Sequence, residues 1–142
     1  MLDCLALVTF LGYSQTLFPN RYHTTDLSGT TLEVRSCERG LAAYGRLQTS
    51  GLFAGGLTYG ITARVNDVVT VSLSPHVGIS YVDHPVRELP QRTQFDVGGQ
   101  VGVWYKNVFV GAQYSHQSNA GMTQPNIGHD EIIGQVGYRW KN

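Results

Sequence analysis

Between Phe53 and Gln117 the chain repeats one pattern four times: apolar side chains at every second position, with small or polar ones between them. Successive side chains of a β-strand point to opposite faces, so a period of two means a strand with one apolar face. In the first run Phe53, Gly55, Leu57, Tyr59, Ile61, Ala63 and Val65 alternate with Thr58, Gly60, Thr62 and Arg64. In the second, Val69, Val71, Leu73, Pro75, Val77, Ile79 and Tyr81 alternate with Thr70, Ser72, Ser74, His76, Gly78 and Ser80. The third sets Phe95, Val97, Val101, Val103 and Tyr105 against Asp96, Gly98, Gln100 and Gly102. The fourth sets Val108, Val110, Ala112 and Tyr114 against Gly111, Gln113, Ser115 and Gln117. These runs extend over roughly 11 to 15 residues, about twice the length of a globular strand and matched to a tilted strand that crosses a bilayer.

Two solvents are compatible with an alternating strand: a soluble barrel hides its apolar face, and a membrane barrel turns that face to lipid. Charged residues make up only 14% of the 142 residues, against roughly 25% in soluble domains. The minority face is Gly, Ser, Thr and Gln with few Lys or Glu, which suits a narrow, crowded lumen. Weaker strand candidates at Cys4 to Gly12, Thr31 to Ser36 and Leu41 to Gln48, with a last one at Glu131 to Trp140, bring the count to about eight, the smallest common membrane barrel. Tight turns are expected at Asn66-Asp67, Lys106-Asn107 and Ser36 to Gly40. Longer polar loops are expected near Tyr13 to Gly29, Asp83 to Arg92 and Asn119 to His129, with a short link at Thr49 to Gly51 as an exception. The reading is therefore all-β, an eight-stranded antiparallel up-and-down transmembrane β-barrel, with residues 1–142 as one domain.

A formal net charge of zero provides no basic field for nucleic acid, so nucleic-acid binding is set aside. Cys4 and Cys37 lack partners at metal-ligand spacing, so no metal site is expected. They are either one disulfide or two unpaired thiols. An exported protein needs a leader, yet Met1 to Gly12 has Asp3 where a basic residue belongs. We expect that the N-terminal part is truncated or that its signal lies upstream.

The alternation also places chemistry. His116 and Ser118 continue the outward parity of Val108, Val110, Ala112 and Tyr114. Two residues of strand separate their Cα atoms by roughly 7 Å, a span that an imidazole leaning along the strand can bridge to a hydroxyl. A serine beside a base is an activated nucleophile. With both termini periplasmic, this pair lies near the outer rim, level with the outer-leaflet head groups. In the last strand Ile132, Gly134, Val136, Tyr138 and Trp140 form the lipid face, so parity sends Asp130 outward and Glu131 inward. Asp130 is the expected orienting acid, with Glu131 as the alternative if the start of the strand is bulged. His23, His76, His84 and His129 read as polar groups of loops or lumen, and Tyr114, Tyr138 and Trp140 as an interfacial aromatic belt.

The run His116-Gln-Ser118-Asn119-Ala120-Gly121, followed by Pro125-Asn126 and Gly128, resembles the signature of the lipid A 3-O-deacylase family (PagL type) of Gram-negative outer-membrane enzymes. The match is dense over roughly 25 residues; upstream, mainly the strand pattern and Pro75 to Asp83 look similar. The resemblance implies an eight-stranded barrel that hydrolyses the ester-linked acyl chain at the 3 position of lipid A, using a Ser-His-Glu triad on its outer surface. Carried over by position, Ser118 is the nucleophile and His116 the general base. The acidic member falls twelve residues after the serine, at Asp130, so this chain carries Asp where the family carries Glu. Asn119 and Asn126, with backbone N–H groups around Ala120 and Gly121, become the oxyanion and substrate-binding candidates. No cofactor is implied, and the partner is lipopolysaccharide in the outer membrane, with a homodimer left open. The competing reading is a non-catalytic small outer-membrane barrel, adhesive or structural, that retains the motif. A third is a soluble lipocalin-like barrel with Val108 and Val110 inside and His116 and Ser118 in water.

Overall fold

The computed structural model describes residues 7–17, 27–83, 92–118 and 128–140. They form eight strands: β1 (Val8–Thr16), β2 (Gly29–Arg35), β3 (Gly40–Gln48), β4 (Leu52–Arg64), β5 (Val69–Val82), β6 (Thr93–Tyr105), β7 (Val108–Ser118) and β8 (His129–Arg139). Each strand pairs antiparallel with its chain neighbours, and β1 pairs with β8, from Val8 opposite Arg139 to Thr16 opposite Glu131, closing the barrel. Closure leaves no open sheet edge, the condition for β structure in lipid.

Parity then sorts the side chains as the alternation demands. Leu11, Leu41, Leu57, Ile61, Val77, Val101, Val110 and Val136 are all exposed on the outside, while Gln100, Gln113, Ser115 and Gln117 are buried within. The outward placement of Val108 and Val110 excludes the soluble-barrel arrangement, which needs them inside. Exposed aromatics gather toward the two ends of the outer surface. Tyr13, Phe53, Tyr81, Phe95 and Tyr114 lie toward the end where β1, β5 and β7 finish, and Tyr105, Tyr138 and Trp140 toward the short-turn end. Such belts mark the two interfaces of a membrane barrel, and the end where more residues separate consecutive strands is the external one.

The lumen is filled rather than open. At the short-turn end Val8, Phe10, Trp104 and Phe109 form an apolar plug, with the Phe10 and Phe109 rings edge to face at 5.2 Å. Glycines make room for it: a Cβ at Gly102 or Gly111 would lie within 2.4 Å of the Phe109 ring. Above the plug sits Arg46, whose guanidinium lies 3.8 Å from Glu33, 3.6 Å from Asp96 and 3.4 Å from Glu131. Asp96 also accepts hydrogen bonds from Tyr44 Oη at 2.6 Å and from Gln117 Nε2 at 2.8 Å. Glu131 accepts from Ser14 Oγ at 2.5 Å and Gln48 Nε2 at 3.2 Å. These contacts join β1, β2, β3, β6, β7 and β8 across the interior.

Three expectations are corrected. The first strand is not Cys4 to Gly12, and the first long loop does not begin at Tyr13, because β1 runs on to Thr16. Ser14 and Thr16 are lumen side chains that continue the alternation, and Gly12 is a point of close approach rather than a stop. A Cβ at Gly12 would come 2.5 Å from the carbonyl oxygen of Gly134. The last strand starts at His129, whose buried ring faces the lumen and meets Gln117 Oε1 at 2.7 Å. The lumen is also more charged than the four clear repeats imply, since Glu33, Arg35, Arg46 and Glu131 come from strands with weaker patterns. Cys37 is disulfide-bonded, and Cys4 lies outside the described residues.

Removing Arg46 would take the shared guanidinium from buried Asp96 and Glu131 and leave Glu33 to Arg35 alone. Arg46→Ala is expected to destabilise the barrel by about 3–5 kcal/mol, the usual cost of an uncompensated buried charge. Reversible urea unfolding in detergent, followed by heat-modifiable gel migration, measures it, and a change under about 1 kcal/mol would contradict the role given to this side chain.

Candidate active site at the outer rim of β7 and β8

β7 and β8 meet in an unbroken register that sets Tyr114 opposite Ile132, Ser115 opposite Glu131 and His116 opposite Asp130. His116 and Asp130 are thus a directly facing cross-strand pair on the outer surface, with side chains 33% and 35% exposed. Facing residues have their Cβ atoms about 4.5–5.5 Å apart, so a short carboxylate spans the gap. The His116 Nδ1 to Asp130 Oδ1 distance is 2.6 Å. Holding Nδ1–H this way leaves Nε2 as the basic nitrogen, the tautomer that a general base requires.

Ser118 ends β7 two residues on, half-buried on the same face, and pairs with Phe95 of β6 as His116 pairs with Val97. Phe95 and Val97 are exposed apolar side chains, so the hydroxyl and the imidazole lie against a lipid-facing surface. On the other side the imidazole rests on Gly128, which has φ of +76°. A Cβ there would stand 2.8 Å from His116 Cε1 and 3.1 Å from the Gln117 carbonyl oxygen. Glycine is needed at this point for both its backbone conformation and the room it leaves to the ring.

The unbulged register settles the choice of acid contact. Glu131 faces the lumen, buried and bonded to Ser14 and Gln48, and does not reach His116. His76 and His129 are buried polar groups of the lumen, while His23 and His84 lie outside the described residues. So do the oxyanion candidates Asn119, Ala120, Gly121 and Asn126. One contact was not anticipated. Tyr114, read as a belt residue, donates its hydroxyl to Asp130 Oδ1 at 2.5 Å. Its signal was the shared parity of Tyr114, His116 and Ser118, but the contact is diagonal and needs the register to be seen.

A closed eight-stranded antiparallel barrel with an apolar outer face and a filled polar lumen defines a class, the small outer-membrane barrels, and this one carries a facing His-Asp pair and a serine on its lipid side. The sequence model for the lipid A 3-O-deacylase (PagL) family matches residues 9–139, nearly the whole chain, and the protein belongs to that family. It is a barrel of the Gram-negative outer membrane. The chain is similar in fold to the crystal structure of the outer-membrane enzyme PagL, at 18% identity and TM-score 0.56 over 94% of this chain and 98% of that one. It is also similar to the N-terminal β-barrel domain of Pseudomonas aeruginosa OprF, at 9% identity and TM-score 0.60 over 96% and 98% of the two chains. Yersinia pestis Ail, in a phospholipid bilayer nanodisc, matches at 16% identity and TM-score 0.50 over 95% and 99%. No curated protein sequence matches the chain.

Gly128→Ala is expected to displace the imidazole and strain the backbone, at a cost of about 1–3 kcal/mol. The His116 ring resonances in a detergent-solubilised sample should shift and the unfolding midpoint fall, whereas unchanged resonances would show that the ring does not depend on this glycine.

Proposed function

We propose that this protein is a serine esterase that removes the acyl chain ester-linked at the 3 position of lipid A. The observation that carries the reading is the 2.6 Å contact between His116 Nδ1 and Asp130 Oδ1 on the outward face, two residues from Ser118. Family membership supports this choice of substrate class and regiochemistry. The location supports the same choice, because a nucleophile on the outer surface near the external rim meets outer-leaflet lipid before any soluble ester.

In this mechanism His116 Nε2 takes the proton of Ser118 Oγ as the oxygen attacks the ester carbonyl carbon. The tetrahedral oxyanion is assigned, by the family resemblance, to Asn119, Asn126 and the N–H groups of Ala120 and Gly121. Each such donor is worth roughly 2.7–4 kcal/mol in the transition state. Collapse breaks the bond to the sugar oxygen, which takes the proton from the imidazolium and leaves as an alcohol. Water, deprotonated by the same nitrogen, then attacks the acyl-enzyme, releases the hydroxy fatty acid and restores Ser118. Asp130 stays ionised throughout, fixing the ring and stabilising its charged form. Aspartate serves in place of the family's glutamate because it faces His116 directly across the ladder.

Lipid A from Gram-negative cells producing this chain should lose the mass of one 3-hydroxyacyl group, read by mass spectrometry. Ser118→Ala should leave lipid A unmodified, and Asp130→Asn should slow the reaction by about 10⁴-fold, the loss seen when a triad histidine is left in the wrong tautomer. An unchanged spectrum with correctly inserted wild-type protein, or loss of the acyl group that persists in Ser118→Ala, would overturn the proposal.

A further inference from the structure

A tyrosine at a membrane interface ordinarily points its hydroxyl toward water and head groups. Tyr114 does not. It is 45% exposed on the lipid side, and its hydroxyl turns along the surface to Asp130. The register explains how it reaches: Asp130 lies straight across from His116 and diagonally from Tyr114, within the span of an aromatic side chain. Tyr114 Oη and His116 Nδ1 converge on one oxygen, Asp130 Oδ1, at 2.5 and 2.6 Å.

We propose that Tyr114 is a positioning residue of the catalytic unit, holding Asp130 in the rotamer that meets His116; this rests on the esterase reading of the same site. The need for it follows from where Asp130 stands. It is the second residue of β8, close after the loop, and 35% exposed at the boundary between lipid and water. A carboxylate there costs free energy unless donors satisfy it, and a partly exposed one is free to turn toward water. The imidazole alone is a variable clamp during turnover, whereas the phenol donates in every protonation state of the ring. Fixing the carboxylate pre-orients the base before substrate arrives. Tyr114 touches Asp130 rather than the reacting atoms, so its contribution belongs to kcat and passes through the carboxylate.

Tyr114→Phe keeps the ring and its lipid contacts and removes only the donor. With a short-chain ester or purified lipid A in detergent, kcat should fall about 10- to 100-fold, as for loss of one hydrogen bond to a charged acceptor, with KM changed less than twofold and heat-modifiable migration retained. In an Asp130→Asn background the same substitution should cost less than twofold, since its effect acts through the carboxylate. Independently of turnover, the Nδ1 proton resonance of His116 in ¹⁵N-histidine-labelled protein should be sharp in wild type and broadened by solvent exchange in Tyr114→Phe. An equal loss of kcat in both backgrounds, a loss confined to KM, or an Nδ1 proton that stays sharp in Tyr114→Phe would overturn the assignment. A wild type without esterase activity whose Nδ1 proton still broadens on Tyr114→Phe would sustain the positioning contact and count against the esterase reading alone.

Discussion

The pairing of β1 with β8 is the constraint on which everything else depends. Lipid offers no hydrogen bonds to a backbone, so a sheet can sit in a bilayer only if its first and last strands satisfy each other. Once the ladder closes, the side-chain period of two admits no slippage, because a shift of one residue would turn every lipid-facing side chain into the lumen. Adjacent residues then live in different solvents. Asp130 lies at the lipid boundary with His116 and Tyr114, while Glu131, one residue on, is buried against Ser14, Gln48 and Arg46.

The two carboxylates show how the interior and exterior of this barrel divide their tasks. Glu131 belongs to a buried network that ties six strands together around one guanidinium, an arrangement whose value lies in fixing register as much as in stability. Asp130 belongs to a small surface cluster built from only two strands, which the rigid network beneath holds in place. Sites mounted on strands in this way keep their geometry better than sites carried on loops.

Much of this was legible in the alternation alone. The bounds of β4 to β7 fall within two residues of the repeats that begin at Phe53, Val69, Phe95 and Val108, because strands with one lipid face and one crowded face leave an unambiguous pattern. The outward placement of His116, Ser118 and Asp130 followed from the same parity. β1 was less legible because its alternation is weaker, and Gly12 within it keeps its small size for the crowded wall between β2 and β8. The Arg46 cluster was not legible, since it joins residues 33, 46, 96 and 131, which only closure brings together. The Tyr114 contact escaped for a related reason: diagonal partners depend on register, and an aromatic on a lipid face has an ordinary explanation already.

The central claim is that Ser118 is an activated nucleophile facing lipid, and covalent trapping tests it most directly. A fluorophosphonate bearing a long alkyl chain, added to outer-membrane vesicles, forms an Oγ–phosphorus bond and expels fluoride only at a serine whose proton a base removes. Peptide mass mapping should find a single adduct on the peptide containing Ser118, lost in His116→Ala and strongly slowed in Asp130→Asn. Absence of that adduct from correctly inserted wild-type protein, or an adduct that forms at the same rate without His116, would contradict the account.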